Sequence, residues 1–392
     1  MMSKNARVLA YTSLAHFAND GVFLIYPLLI VYYSVEEKIS LVFLGSLAII
    51  YTVLSGILSP FIGDFADKSD KDPELLAGGI GLEALAIVFF SLAFLDRTLA
   101  APLITVGVVL LGSGQAFYHP LGGAMLSRTF GRGAGRALGL NGAMGSVGRS
   151  VMPSVISLLL LYLGDVLGLT TFFAYMAVVS VLIYFGVKDL RRGGQQQVRK
   201  TTEKLERGFY KFLLILGALV FLRSMFITGT ATFLGEFEYQ IYLSKTLAGI
   251  FLTVGFAGSI VGQPVFGWLT ERLGGRTSFA LSSVMSVLFF ALFLLSVRNL
   301  YLSATAYTLF TFAAYTGFPV LLGYVSQVFP KSFFTVANSY IWGVGNTIGG
   351  AAGTALVTAL LGLHFTILEA FYLLFALALV STVLTPLIPK RV

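Results

Sequence analysis

The 392-residue chain contains no cysteine. That excludes a disulfide framework, a thiolate metal site and a cysteine nucleophile. Charge is also scarce. Asp, Glu, Lys and Arg together make up 11% of the residues, against about a quarter in soluble domains. Histidine occurs three times, at His16, His119 and His364, in three separate apolar runs. A histidine metal site has no sequence spacing to support it. Neither G-x-x-x-x-G-K-(S/T) nor H-E-x-x-H is present, so those routes to nucleotide hydrolysis and zinc proteolysis are excluded. No Ser-His-Asp grouping follows from spacing. The expectation is a non-enzyme with no cofactor and no metal.

What the chain has in quantity is apolar: 57% of residues are hydrophobic, and the mean hydropathy is +0.87. A soluble globule of this length cannot bury so much apolar surface. The strands of an outer-membrane barrel would alternate apolar and polar residues, and these runs do not. The remaining class is an all-α protein of the lipid bilayer. At about 20 residues per span, the length accommodates about 12 spans. Apolar runs lie near 8–33, 40–63, 75–95, 100–127, 135–163, 166–187, 210–235, 245–270, 277–297, 300–328, 333–361 and 365–388. The first is read as an uncleaved span, because it is too long for a signal peptide.

One long polar stretch interrupts the pattern, at residues 188–208. It divides the chain into a six-span half at 1–187, a basic linker at 188–208 and a second six-span half at 209–392. The net charge of +8 follows topology. With both termini cytoplasmic, 20 of the 26 basic residues face inside, while Lys38, Arg97, Lys245 and Arg298 face outside. Arg149 and Arg223 remain within spans. This asymmetry is the positive-inside pattern, and it argues against a nucleic-acid partner.

The halves share a motif. Pro60, Gly63, Asp67 and Lys68 follow P-x-x-G-x-x-x-acid-base, and so do Pro264, Gly267, Glu271 and Arg272, 204 positions later. A repeat half a chain long predicts two pseudo-symmetric bundles. The second copy continues through Gly274 to Arg276. In the first copy, Asp70 stands where that glycine falls, and Lys71 comes one residue early. The motif resembles the signature of the major facilitator superfamily, which implies 12 helices in two six-helix halves and alternating access. By that resemblance Gly63, Asp67, Lys68, Gly267, Glu271, Arg272 and Arg276 serve gating.

A narrower resemblance concerns His16-Phe-Ala-Asn19-Asp20 with Tyr26-Pro27, the Gly112 to Pro120 run with Tyr118 and His119, and Gly145 and Gly148 before Pro153. These are similar to the fosmidomycin-resistance branch of that superfamily. Met152 and Arg149 depart from it, standing where glycine and a small residue are usual. The resemblance implies a monomer in the inner membrane of a prokaryotic cell. Its activity would be efflux of a drug-like or toxic small molecule by proton antiport, conferring drug resistance.

Ionisable groups at bilayer depth are costly and are candidates for function. His16 and Asp20 are four apart and share a helix face with Asn19 beside them. Together with His119 and Glu83, they are the candidates for proton coupling, the alternative being buried structural hydrogen bonds. Arg149 and Arg223 keep their charge and require an anion. That anion is either a substrate group or a carboxylate such as Asp20 or Glu83. Asn19, Tyr118, Asn338, Trp342 and Asn346 are further substrate-binding candidates, the last three at spacings of four. Glu236 and Glu238 are read as a solvated mouth at the outer end of span 7. Two other functions stay open: uptake or exchange of a carboxylate or organophosphate, and a non-transporting membrane receptor.

Overall fold

A computed structural model of the chain describes residues 3–131, 134–190, 207–329, 337 and 340–388. Among these, twelve helices are long and apolar enough to cross a membrane. They run Lys4–Val35, Leu41–Ser69, Asp72–Leu92, Arg97–Phe130, Gly135–Leu163, Asp165–Val187, Gly208–Tyr242, Lys245–Leu273, Gly275–Ser296, Leu300–Val328, Tyr340–Gly362 and Ile367–Leu387, and are called spans 1 to 12 below. Each apolar run of the sequence corresponds to one of them. Phe61, Leu182, Leu214, Leu288 and Leu295 are among many large apolar side chains left exposed, as lipid contact requires.

Two spans break, and proline explains both. Span 1 comprises Lys4–Gly21 and Ile25–Val35, and span 10 comprises Leu300–Ala314 and Gly317–Val328. Pro27 and Pro319 cannot donate to the carbonyls of Phe23 and Tyr315, and their rings crowd those same carbonyls. Asp20 therefore sits in the last turn before a break.

The chain divides into two compact units, one of Met1–Gln197 with Leu243–Thr253, the other of Val198–Tyr242 with Val254–Val392. In the first unit span 1 packs on spans 5 and 6, and span 3 packs on spans 4 and 6. In the second, span 7 packs on spans 11 and 12, and span 9 packs on spans 10 and 12. These four pairings recur with six added to each number. Glycine allows the same crossing in each unit. A Cβ on Gly148 would run into the Phe17 backbone, and a Cβ on Gly353 would run into that of Met225.

The departure from the motif at Asp70 has a backbone reason. Asp70 adopts φ 52° and ψ 33° as the C-cap of span 2. Gly274, 204 positions on, has φ 82°. Both positions lie in the left-handed region, where aspartate is among the few tolerated alternatives to glycine.

Candidate functional site

Asp20 is the centre of a buried polar cluster in the first unit. Its Oδ2 accepts a hydrogen bond from Arg149 Nη2 at 2.5 Å. Its Oδ1 accepts from Asn19 Nδ2 at 3.1 Å. His16 Nε2 lies 3.5 Å from Oδ2, and His119 Nε2 lies 3.9 Å from Oδ1. Gly145 packs directly against the His16 ring, so span 5 comes close enough for Arg149 to reach span 1. The Arg149 guanidinium also lies 4.9 Å from the centre of the Phe23 ring.

The tautomer of His16 follows from its partners. Nδ1 lies 2.9 Å from the backbone carbonyl of Asn141 and 2.9 Å from its side-chain Oδ1. A carbonyl only accepts, so Nδ1 carries the proton. In the neutral ring Nε2 then presents a lone pair to the Asp20 carboxylate. Two acceptors facing each other repel, and one proton between them turns the contact into a hydrogen bond. Tyr118 fixes the arrangement. Its hydroxyl donates to Asn141 Oδ1 at 2.6 Å, and its ring stacks on His16 at 4.3 Å between centroids. Asp20 and the His16 side chain are almost enclosed, whereas the His119 side chain is 49% exposed. His119 is therefore the accessible edge of the cluster.

Donor atoms of His16, Asp20 and His119 lie within 4.8 Å of one another, close enough to ligate one ion. Arg149 already supplies positive charge on Oδ2.

Glu83 joins the cluster indirectly. Gln115 Nε2 donates to the Asn19 carbonyl at 2.5 Å and to Glu83 Oε1 at 2.9 Å. Glu83 Oε2 is buried with no partner among the described residues. Gln115 and Asn141 were missed in the sequence, although an amide inside an apolar run was a visible signal for each.

In the second unit Arg223 has a different environment. Its Nη2 donates to the carbonyls of Ala313 and Ala314, at 3.3 and 3.1 Å. Among the described residues no carboxylate pairs with it. Asn346 Oδ1 accepts from Ser224 Oγ at 3.0 Å. Trp342 and Asn346 lie in a π-helical stretch, Tyr340–Ile348. Asn338 lies outside the described residues. The reading of Glu236 and Glu238 as a solvated mouth is corrected, since they are 4% and 1% exposed. They belong to a helix end packed through Phe237 on Phe293 and Phe371. Both Glu238 oxygens lack a partner among the described residues.

The repeated motif shows the same local packing in both units. Gly63 faces Pro120, and Gly267 faces Pro319. Lys68 pairs with Asp64 at 2.5 Å, and Asp67 is exposed. Glu271 is exposed, Arg272 lies 5.9 Å from the Trp268 ring centre, and Arg276 donates to the Pro386 carbonyl at 2.9 Å.

The model of the Major Facilitator Superfamily matches residues 11–239 and 216–391, most of the chain. The chain belongs to the Major Facilitator Superfamily. It is a multi-pass membrane transporter with the all-α, twelve-helix fold of that superfamily. The fosmidomycin resistance protein of Escherichia coli K12 is 22% identical over 98% of this chain and 93% of its own length. The uncharacterised MFS-type transporter YfnC of Bacillus subtilis 168 is 24% identical over 69% of this chain. That match spans 66% of YfnC, just under two thirds. The crystal structure of a bacterial homologue of the iron transporter ferroportin, in its inward-facing state, superposes over the full length of both chains. Its TM-score is 0.72 at 14% identity, which is a likeness of fold.

Proposed function

We propose that this member of the superfamily is a proton-coupled secondary active transporter. It works by alternating access and exports a drug-like or toxic small molecule by proton antiport. The observation that carries the reading is the Asp20 carboxylate, buried in span 1 between Arg149 and His16. A carboxylate enclosed at membrane depth is a costly feature to keep without a use. His119 offers the proton a way in, while Glu83 lies one amide away through Gln115. Asn19 and Tyr118 hold the donors in register. Gly63, Asp67, Lys68, Gly267, Glu271, Arg272 and Arg276 take the gating role, with both termini in the cytoplasm of a prokaryotic cell. The similarity to a fosmidomycin resistance protein supports efflux.

The test uses the whole protein in proteoliposomes with an imposed pH gradient and a panel of candidate drugs. Asp20→Asn is expected to abolish proton-driven transport and to retain substrate exchange without a gradient. Unchanged pH dependence in that variant would remove Asp20 from the mechanism.

A second reading has its own support. The counter-ion of Asp20 is an arginine, so protonating the acid releases a positive charge. An organic anion would then bind Arg149 only when a proton is also bound, and the two would move in the same direction. Uptake of a carboxylate or organophosphate driven by an inward proton gradient would favour this reading over antiport. If neither drugs nor anions show counterflow, the receptor reading gains instead.

A further inference from the structure

Arg223 is 6% exposed and keeps its charge at any relevant pH. Only Nη2 donates hydrogen bonds, to the two carbonyls of span 10 described above, and the guanidinium lies 5.3 Å from the centre of the Phe279 ring. Nε and Nη1 are buried with none among the described residues, and so is the hydroxyl of Ser283. All three groups belong to residues that line one small cavity, whose walls also include Phe226, Val287 and Ala378. Ser286 and Ser381 border it too, but their hydroxyls donate to the carbonyls of Ser282 and Leu219. The cavity measures about 10 Å³, room for a single small particle.

Unpartnered donors beside a cavity of this size would accept a water molecule. The charge asks for more. An isolated cation at membrane depth is costly unless an anion accompanies it. The repeat places no carboxylate there. Val287 lies 204 positions after Glu83, and Arg223 lies 204 positions after Asn19. The first unit has a carboxylate in span 3 at the position where the second unit has valine in span 9.

We propose that this cavity binds one halide ion, chloride in the cell, held by Arg223 and Ser283. Its small volume favours a monatomic ion over a polyatomic one. Its walls mix apolar groups with the side chains of Ser286, Ser381 and Thr382 and offer no second charge, which suits a monovalent ion. The site lies wholly within the second unit and does not depend on proton coupling at Asp20. It acts as a counter-ion site that fixes spans 7, 9 and 12 around the buried arginine.

The test is a melting curve of the purified full-length protein, read by intrinsic tyrosine and tryptophan fluorescence. Sodium gluconate is replaced stepwise by sodium chloride or bromide at fixed ionic strength. The expected result is a saturable rise of roughly 3 °C or more with either halide. Arg223→Gln should abolish it, and Ser283→Ala should raise the halide concentration at half-effect severalfold. Asp20→Asn should leave the rise intact even where proton-driven transport is lost, so each proposal can fail alone. Diffraction from bromide-soaked wild-type crystals should show an anomalous peak beside Arg223, and this stands even if a variant does not fold. A melting temperature indifferent to halide, a cavity without that peak, or a rise that survives Arg223→Gln would overturn the proposal. Loss of the rise in Asp20→Asn would also overturn it, because the ion would then act at the first unit.

Discussion

In the first unit three arginines meet carboxylates, Arg149 with Asp20, Arg128 with Asp72 and Arg7 with Asp189, while Arg97 donates to the Glu37 carbonyl. In the second, Arg223 and Arg276 meet backbone carbonyls of Ala313, Ala314 and Pro386. The helices are arranged alike in the two units, but the chemistry differs. All eight aspartates of the chain precede residue 190. A proton can neutralise a carboxylate and release its arginine, whereas a carbonyl offers no such switch. Release of an arginine by protonation is therefore a property of the first unit. The second unit ties these arginines to groups that do not titrate.

The largest expected effect tests this difference directly. Arg149→Met leaves the Asp20 charge buried without its partner, which costs about 3–5 kcal/mol. The cost should be greater at alkaline than at acidic pH, because a proton can replace the guanidinium. Adding Asp20→Asn to the same chain should restore most of the loss. Arg223→Met removes a cation that has no protein anion, so in halide-free buffer it should be neutral or stabilising. Denaturation of the three variants beside wild type measures this. Equal losses for Arg149→Met and Arg223→Met would erase the distinction between the units.

Next come the glycine crossings, where the units should behave alike. A methyl group at Gly148 or Gly353 meets backbone of the neighbouring helix, which cannot move aside as a side chain end can. Gly148→Ala and Gly353→Ala should each cost about 1–3 kcal/mol. Melting temperatures of the two variants provide the check. If only Gly148→Ala is destabilising, the repeat extends to sequence but not to packing.

The repeat itself was legible because its signals are local. Span length, the basic linker and the motif at Gly63 and Gly267 need no tertiary contact to be read. The spacing of four that joins His16 to Asp20 was legible for the same reason. What the sequence left open was which partner each arginine takes. Arg149 and Arg223 look equivalent in a linear reading, since each lies deep in an apolar run. Their difference arises from spans 1, 9 and 10, which are remote in the chain. The burial of Glu236 and Glu238 was hidden similarly, because nearness to a helix end suggests solvent until packing is known.

A smaller effect is expected at Asn141, which supports His16 and Tyr118 at once. Asn141→Ala keeps the backbone acceptor for His16 but leaves the Tyr118 hydroxyl without its acceptor, at about 1–2 kcal/mol. Because the His16 ring loses its side-chain brace, the pH profile of proton-driven transport should shift in proteoliposomes. The halide response assigned to Arg223 should not. A pH profile identical to wild type would mean that the backbone carbonyl alone sets the ring.

The smallest effect lies at the membrane surface. Arg7 donates to Asp189 at 2.6 Å, and this bond, with Arg7 and Lys188 nearby, holds the Asp189 carboxyl below its usual range. A depressed folded value means that the carboxylate contributes stability above the unfolded value of about 3.9. The contribution fades as pH falls through the lower folded value. Both side chains are partly exposed, so added salt should weaken the pair. Arg276 makes a comparable tie to the Pro386 carbonyl, which has no proton to gain. Asp189→Asn should therefore lower the melting temperature slightly near neutral pH and converge with wild type only as pH falls through the lower folded value. Arg276→Gln should show a deficit that does not change over that range. If Asp189→Asn instead kept a constant deficit into acid, the two ties would be equivalent, and proton response would not distinguish the units at their surfaces.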